Sequence, residues 1–154
     1  MSRTKQLFLL AVVLAAGSFG AGQARAYDPC YYSSYSYYPQ RSYYYSYCYY
    51  QQPASTEYSY HYTIYYPATP RYCYYYNPHR RVYWGRYDLE AKGYSMLDEK
   101  DRKENLKDIP ESAFPKPGAL PQIPGAKDGV ALVAPPAPPK EPPPKDAPEG
   151  DEKK

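Results

Sequence analysis

Residues 58–66 read Tyr58-Ser59-Tyr60-His61-Tyr62-Thr63-Ile64-Tyr65-Tyr66, and this stretch alternates with a period of two. Side chains of a β-strand point alternately to opposite faces, so one face would carry mostly tyrosine and the other the residues in between. Aromatic and β-branched side chains also suit a pleated surface. The stretch is therefore the strongest β-strand prediction in the chain.

The tyrosine-rich composition extends on both sides of this strand. Of the 24 tyrosines, 21 lie between Tyr27 and Tyr76, a region that contains no glycine and in which Ile64 is the one large aliphatic residue. A buried tyrosine needs a polar partner for its hydroxyl, so the region suits sheets, surfaces and assemblies better than a dry core. Prolines interrupt it at intervals of about one strand length, which limits uncontrolled strand pairing.

Aliphatic residues are scarce outside the N-terminus. After residue 26, Leu, Ile, Val and Met together number twelve, and nearly all of them follow residue 80. So few residues cannot close a hydrophobic core of normal size. The predicted fold class is a mostly disordered, low-complexity chain with short β-strands in the tyrosine-rich region, one short solvated helix near residues 96–108, and no sizeable globular core.

The N-terminus has the features of a secretory signal. Arg3 and Lys5 precede the apolar run Leu7–Ala16, and Ala24-Arg25-Ala26 supplies a small-x-small cleavage pattern. The apolar run is too short to span a membrane, which requires about 20 residues. The sequence predicts export after cleavage near Ala26, to the periplasm, the cell envelope or the exterior, with no transmembrane segment in the remaining chain.

Removal of this signal would change the charge balance. The signal carries Arg3, Lys5 and Arg25 and no acid, so the remaining chain has 16 basic and 16 acidic residues, and the formal net charge of +3 falls to zero. A neutral chain experiences little repulsion between copies, which permits self-association. It also offers no electrostatic attraction to nucleic acid, which is not a predicted partner.

Composition divides the chain into four segments: a signal over 1–26, a tyrosine-rich region over 27–81, a mixed segment over 82–112 and a Pro-rich disordered tail over 113–154. In the mixed segment, residues 82–89 and 94–97 could pair as a hairpin around Ala91-Lys92-Gly93. Alternatively, Ser95 caps a helix over 96–108. The preferred interpretation is a hairpin or extended piece followed by this helix, which Pro110 would end.

The tail contains most of the 19 prolines. Residues 135–145 are dominated by proline, which favours an extended polyproline II helix without internal hydrogen bonds. Within it, Pro135-x-x-Pro138-x-Lys140 fits the pattern of an SH3-domain ligand. An exported chain would not meet a cytosolic SH3 domain, so the preferred interpretation is a stiff, solvated spacer.

Three cysteines, Cys30, Cys48 and Cys73, are candidates for disulfides because export leads to an oxidising compartment. Their odd number leaves one thiol that could cross-link two chains, and the connectivity stays open. Zinc binding by these cysteines with His61 or His79 is a less favoured alternative, because no Cys-x-x-Cys pair occurs. No cofactor is predicted.

No catalytic constellation is recognisable, and the chain is predicted not to be an enzyme. The favoured hypothesis is a structural or interaction protein of the cell envelope or extracellular matrix that self-associates through tyrosine, with cysteine cross-links as a further device. The alternative is a polysaccharide-binding module in which Tyr83, Trp84 and Tyr87 stack on sugar rings. A small metal or redox protein is the least favoured hypothesis.

The signal and the tyrosine runs are accompanied by two further stretches, Tyr76-Asn77-Pro78-His79-Arg80-Arg81-Val82-Tyr83-Trp84-Gly85-Arg86-Tyr87-Asp88-Leu89-Glu90 and Asp108-Ile109-Pro110-Glu111-Ser112-Ala113-Phe114-Pro115. With these features the chain resembles small exported tyrosine-rich bacterial proteins of the planctomycete type, a group of unknown function. The resemblance implies export and nothing about mechanism.

Overall fold

The computed structural model describes residues 30–51, 57–122 and 131–140. The predicted signal over 1–26 and the end of the tail over 141–154 lie outside these ranges. The described chain forms one curled antiparallel sheet of seven strands. The strands are β1 (Cys30–Tyr32), β2 (Ser36–Tyr38), β3 (Tyr43–Gln51), β4 (Tyr58–Tyr65), β5 (Tyr72–Asn77), β6 (Val82–Asp88) and β7 (Gly93–Met96).

The strands follow the spatial order β1-β3-β4-β5-β6-β7, and β2 also pairs with β3. The two short strands β1 and β2 therefore share one edge of β3. The longest ladder joins β3 to β4 and runs from Tyr44↔Tyr65 to Gln51↔Tyr58. The strand predicted for residues 58–66 is thus present, and it lies in the interior of the sheet.

Two hairpin turns share one construction. The turn between β5 and β6 follows Asn77, whose Oδ1 accepts hydrogen bonds from the backbone N–H groups two and three residues later, at 2.9 and 3.0 Å. Asp88 does the same before β7, with both distances 2.9 Å. Each turn ends on a residue with positive φ, Arg81 at 54° and Lys92 at 55°. Short Asn and Asp side chains favour such turns because they bond to nearby backbone.

The core is aromatic, which corrects the prediction of a mostly disordered chain without a sizeable core. One side of the sheet, called the inner face, is defined by the buried cluster of Cys30, Tyr44, Cys48, Tyr50, Tyr65, Cys73, Tyr75, Trp84, Tyr87, Tyr94 and Leu132. The opposite side, called the outer face, has a second buried cluster of Ile64, Tyr74, Tyr83, Leu97 and Ile109. The small number of aliphatic residues did not prevent a core from forming, because each large aromatic side chain itself buries about 150–250 Å².

Strand β4 places its polar residues in the interior. His61 and Thr63 lie on the inner face and are 1% and 0% exposed. Tyr60 and Tyr62 lie on the outer face and are only partly buried. A tyrosine tolerates this position because its ring packs against neighbouring rings while its hydroxyl reaches water. The side of the strand with more aromatic residues is therefore the more exposed side.

The helix predicted near residues 96–108 is wrong. Within the described ranges the helical pieces are single 3₁₀ turns, at Pro39–Arg41, Glu99–Asp101, Leu106–Asp108 and Glu111–Ala113. Leu97 and Ile109 both enter the outer cluster, and the segment between them consists of short 3₁₀ turns and irregular chain. The Lys103 carbonyl also accepts a hydrogen bond from the Tyr83 N–H at 2.8 Å. No helix in the described ranges has the length and apolar character needed to cross a membrane.

The described parts of the Pro-rich tail are ordered against the sheet. Gly118 exchanges two backbone hydrogen bonds of 2.9 Å with Tyr94 of β7. The Ser95 hydroxyl donates to the Pro115 carbonyl at 2.7 Å. Residues 115–118 therefore cover the edge that β7 would otherwise present to other chains.

Gly85→Ala is expected to destabilise the protein by about 1–3 kcal/mol, because it overpacks the inner face. A Cβ atom at Gly85 would lie 2.0 Å from the Tyr94 hydroxyl oxygen and 2.7 Å from the Ser95 carbonyl oxygen. Denaturant unfolding measures the change. The matched control is Gly118→Ala, because a Cβ atom at that position would meet open space, with no contact within 4 Å. Equal stability of the two variants would contradict this packing.

Candidate functional site

Tyrosine rings form a continuous array on the outer face of β1, β3 and β4. We call this array the outer tyrosine face, and it consists of Tyr31, Tyr43, Tyr45, Tyr47, Tyr49, Tyr58, Tyr60 and Tyr62. None of these side chains is fully buried, and Tyr31 is 45% exposed. The array exists because β3 and β4 alternate with period two and pair in register, so their tyrosines share one face.

The rings of this face are in mutual contact. Tyr31 stacks on Tyr49 with ring centroids 5.0 Å apart. The ring centroid of Tyr47 lies 5.2 Å from that of Tyr60 and 5.1 Å from that of Tyr62, across the β3–β4 ladder. Such separations are typical of favourable aromatic pairs, which hold each ring in place. Each phenol hydroxyl can donate and accept a hydrogen bond, so the surface is both aromatic and polar.

A groove of about 350 Å³ borders the outer tyrosine face on the side of the segment that follows β7. Its lining includes Tyr45, Tyr62, Tyr76, Arg41 and Arg81. Arg81 forms an ion pair with Glu104, which also lines the groove. The groove thus combines aromatic rings with the guanidinium groups of Arg41 and Arg81 and with the Glu104 carboxylate that pairs with Arg81. Rings and a guanidinium group suit a ligand with flat apolar faces and acceptor oxygens.

Arg86 attaches the segment after β7 to the outer face. Its side chain is 7% exposed, and its guanidinium carbon lies 3.7 Å from the Tyr72 ring centroid and 4.0 Å from that of Phe114. The carboxylate of Glu111 accepts two hydrogen bonds from the guanidinium, one of them 2.8 Å long. These hydrogen bonds hold the pKa of Glu111 below its usual value. The contact is therefore a charged pair at neutral pH.

The residues predicted to stack on a ligand are all buried, although Tyr83 also contributes to the lining of the groove. Trp84 is 1% exposed, and Tyr83 and Tyr87 are each 6% exposed. Trp84 and Tyr87 belong to the inner cluster, whereas Tyr83 belongs to the outer one. The three rings are therefore not assembled into one platform, and the accessible rings are those of the outer tyrosine face.

The three cysteines all lie buried on the inner face. The sulfur atoms of Cys30 and Cys48 are 3.5 Å apart, whereas Cys73 Sγ lies 3.6 Å from the Tyr35 hydroxyl. Contact with Cys30 and then burial raise the pKa of the Cys48 thiol, and burial raises the pKa of Cys73 to about 11. Both thiols are therefore poor nucleophiles at neutral pH. Of the candidate disulfides, Cys30–Cys48 is the one whose sulfur atoms the fold brings together.

The two histidines lie on opposite faces. His61 pairs across the ladder with Cys48 on the inner face, whereas the exposed His79 approaches Tyr60 on the outer face, with ring centroids 6.0 Å apart. Among the residues that the structure describes, no group of three or more His, Cys, Asp or Glu side chains is arranged to hold a metal ion.

The stability of the protein is expected to fall as the pH drops from 6.5 to 5, because His61 stays neutral in the fold. Its ring stacks on that of Tyr50 with centroids 4.9 Å apart, and its centroid lies 5.1 Å from that of the Trp84 ring. Burial lowers the pKa of His61 to about 3. The unfolded chain, with an ordinary histidine pKa of about 6.5, takes up the proton first, so about 1.4 kcal/mol is lost per pH unit.

Urea unfolding at several pH values between 5 and 7.5 measures this loss. The matched variant His61→Phe keeps a ring but cannot titrate, so its stability should change less over this range. Carboxylates contribute little to the comparison because they titrate mainly at lower pH. An identical pH dependence of the two proteins would contradict a neutral, buried His61.

Residues 131–140 of the Pro-rich tail lie across the inner face. Leu132 is 2% exposed and belongs to the inner cluster. The Tyr32 hydroxyl donates a hydrogen bond to the Val133 carbonyl at 2.6 Å, and the Tyr35 hydroxyl donates one to the Pro136 carbonyl at 3.3 Å. The solvated spacer predicted for this part of the tail is instead docked on the sheet.

Tyr32 and Tyr35 were not among the residues that the sequence singled out. Both belong to a long series of similar Tyr-Ser runs, in which nothing distinguishes one ring from the next. The available signal was their separation of three residues, which matches the three-residue repeat of a polyproline II helix. This match could not be used for prediction, because the sequence does not show that the tail lies on these two rings.

The fold and its surfaces define an antiparallel sheet protein with an open tyrosine array on one face and its own Pro-rich segment on the other. Comparison with protein-family models, curated proteins and solved structures finds no match for this chain. The resemblance to exported tyrosine-rich bacterial proteins stays a prediction. Function is therefore inferred from the two faces of the sheet.

Proposed function

We propose that this protein is an exported, non-enzymatic structural or interaction protein whose copies associate through the outer tyrosine face. The observation that carries the proposal is the array of partly exposed tyrosine rings across three neighbouring strands. Aromatic residues, tyrosine in particular, are enriched at protein interfaces. Export is supported by the signal features of residues 1–26.

The chemistry of the face suits contact with an identical face. Each phenol hydroxyl both donates and accepts hydrogen bonds, so two copies of the same array complement one another. The rings already restrain each other through contacts such as Tyr47 with Tyr60 at 5.2 Å, which reduces the entropy lost on association. Residues 27–154 carry no net charge, so little repulsion opposes the approach of two copies. Each new aromatic pair contributes about 0.5–1.5 kcal/mol beyond area burial.

Sedimentation velocity over a concentration series tests this proposal. The wild-type protein is expected to form larger species as its concentration rises. The double variant Tyr47→Thr/Tyr60→Thr removes two central rings but keeps residues that favour strands. It should need at least about tenfold higher concentration to associate, because tenfold corresponds to about 1.4 kcal/mol and each ring is lost from both partners.

The matched control is Tyr47→Phe/Tyr60→Phe, which keeps both rings and removes both hydroxyls. If association persists in the Phe double variant and weakens in the Thr double variant, the interface is formed by contacts between aromatic rings. Circular dichroism verifies that each variant is folded. A wild-type protein that stays monomeric at all concentrations would refute the proposal, as would unchanged association of the Thr pair.

A second candidate function is binding of envelope polysaccharide in the groove beside the outer tyrosine face. The supporting observation is the combination of rings such as Tyr45 and Tyr62 with the guanidinium groups of Arg41 and Arg81 in one groove of about 350 Å³. Rings can cover the apolar faces of sugars, and guanidinium groups donate to carboxylate and hydroxyl oxygens. Because Glu104 pairs with Arg81, Arg41 is the group that would bind the carboxylate of an acidic polysaccharide.

Retention on an immobilised acidic polysaccharide tests the second candidate. Arg41→Ala is expected to reduce retention, because Arg41 lines the groove. Arg80→Ala is the matched control, since Arg80 is also exposed but is not part of the groove lining. Equal loss of retention in both variants would indicate nonspecific charge attraction and would exclude a groove site.

A further inference from the structure

The Pro-rich segment on the inner face is buried at every third residue. Leu132 and Pro135 are buried and Pro138 and Pro139 are half-buried, whereas residues 133, 134, 136 and 137 are exposed. A polyproline II helix has three residues per turn, so every third side chain lies on one side of it. The pattern is that of a polyproline II strand lying with one side on the sheet.

The sheet meets this repeat with donors of the same spacing. Tyr32 donates to the Val133 carbonyl at 2.6 Å, and Tyr35 donates to the Pro136 carbonyl at 3.3 Å. A polyproline II backbone makes no internal hydrogen bonds, so its carbonyls are available, and proline itself offers no N–H. Aromatic grooves that bind Pro-rich peptides rely on the same combination of ring contact and side-chain donors.

Other residues of the sheet position the two donors. The Tyr75 hydroxyl lies 2.8 Å from that of Tyr32, and Cys73 Sγ lies 3.6 Å from the Tyr35 hydroxyl. Burial raises the pKa of both Tyr32 and Tyr35, which keeps these hydroxyls protonated as donors. The tyrosine and thiol groups that orient the donors belong to the sheet and not to the Pro-rich segment. We call the site formed by Tyr32, Tyr35 and Tyr75 the inner tyrosine groove.

We infer that the inner tyrosine groove is a recognition site for a Pro-rich strand in the polyproline II conformation, and that a second copy of this chain can supply this strand by exchanging residues 131–140. The groove and the outer tyrosine face lie on opposite sides of the sheet. Strand exchange is therefore a separate mode of association from the one proposed above.

The path of the chain explains why exchange is feasible. Gln122 and Ala131 pair as an antiparallel bridge, and only eight residues connect them in the sequence. The contacts of residues 131–140 with the groove are the same whether the strand comes from its own chain or from another copy. The short connection favours its own strand by raising the effective concentration. Removing this connection should therefore favour the strand of a second copy.

Deletion of residues 123–130 tests the inference in the full chain. The deletion is made in the Tyr47→Thr/Tyr60→Thr background, in which association through the outer tyrosine face is weakened, and at a concentration at which this background is a monomer. Without the connection, Gln122 is joined directly to Ala131, and the chain cannot turn back into its own groove. The deleted chain is expected to sediment as a dimer, whereas its undeleted parent is expected to be a monomer at the same concentration.

A matched variant identifies the groove as the contact. Tyr32→Phe/Tyr35→Phe in the deleted chain keeps both rings and removes both donors, and it should raise the dimer dissociation constant by about tenfold or more. A folded deleted chain that stays monomeric would overturn the inference. A dimer that the Phe pair does not weaken would also overturn it.

A second measurement applies if the deletion prevents folding. Leu132→Asp in the full-length chain places a charge at a buried position and should release the strand from the groove. A synthetic peptide of residues 131–140 with the wild-type sequence is expected to bind this variant at least about tenfold more tightly than it binds the wild-type protein, whose groove is filled. The same peptide carrying Leu132→Asp should not bind. Absence of saturable binding to the folded Leu132→Asp protein would overturn the inference.

Discussion

Trp84→Ala is expected to lower the free energy of unfolding by about 3–5 kcal/mol. The indole is 1% exposed, and its ring centroid lies 5.1 Å from that of Tyr75 and 5.6 Å from that of Tyr94. Its removal leaves a cavity that rigid rings held on neighbouring strands cannot fill. Denaturant unfolding followed by circular dichroism should show a lower midpoint with an unchanged slope.

Two further variants separate packing from other effects. Tyr31→Ala removes a ring that is 45% exposed, so it should cost about 1 kcal/mol or less. Trp84→Phe keeps much of the ring volume, and the Trp84 Nε1 atom has no hydrogen-bond partner among the described residues. This variant should therefore cost less than Trp84→Ala. If Trp84→Ala cost no more than Tyr31→Ala, the indole would not be packed in the core as described.

Arg86→Ala is expected to destabilise the protein by about 2–4 kcal/mol, the second largest effect. The substitution removes a guanidinium that lies between the Tyr72 and Phe114 rings and binds the Glu111 carboxylate. Because this contact attaches the segment after β7 to the outer face, its loss should first free that segment. Hydrogen exchange should increase at Ile109 before it increases in the strands.

The matched control Arg86→Lys keeps the charge but loses the planar group, so it should recover less than half of the lost stability. The pair also predicts a pH effect. The hydrogen bonds from Arg86 hold the pKa of Glu111 below its usual value. Their contribution is therefore present above the ordinary glutamate pKa and is lost as the pH falls below it. An Arg86→Ala protein that loses as much stability on acidification as wild type would contradict this linkage.

Local patterns predicted the strands correctly. The alternation of residues 58–66 appears as β4, Tyr58–Tyr65, and the hairpin suggested for residues 82–97 appears as β6 and β7. These predictions succeeded because side-chain periodicity and turn chemistry act within a few residues. The helix near 96–108 failed because its few apolar residues are drawn individually into the outer cluster, and long-range burial outweighs weak helix propensity.

The candidate sites were harder to predict. Trp84 stood out in the sequence as the single tryptophan, but it lies in the inner cluster. The accessible array instead uses the alternate set of Tyr43–Tyr50 that is tyrosine throughout, whereas the buried set contains Ser46 and Cys48. The burial tendency of cysteine was the one signal in this run for the inner set. A shift of register by one residue would exchange the two sets. The choice is made by pairing with β4, which the sequence of β3 does not contain.

The amino-acid sequence alone determines that this chain forms β-strands. It also determines that any interior is built from tyrosine, because aromatic rings are abundant and aliphatic residues are few. The role of each face of the sheet, in contrast, is set by the tertiary structure. Both faces of β3 carry tyrosine, and the inner face differs mainly by Ser46 and Cys48, so local chemistry distinguishes them only weakly. The distinction comes from contacts such as that between Tyr32 and Val133, which are 101 residues apart. Only folding brings the Pro-rich segment onto one face and leaves the other tyrosine array open.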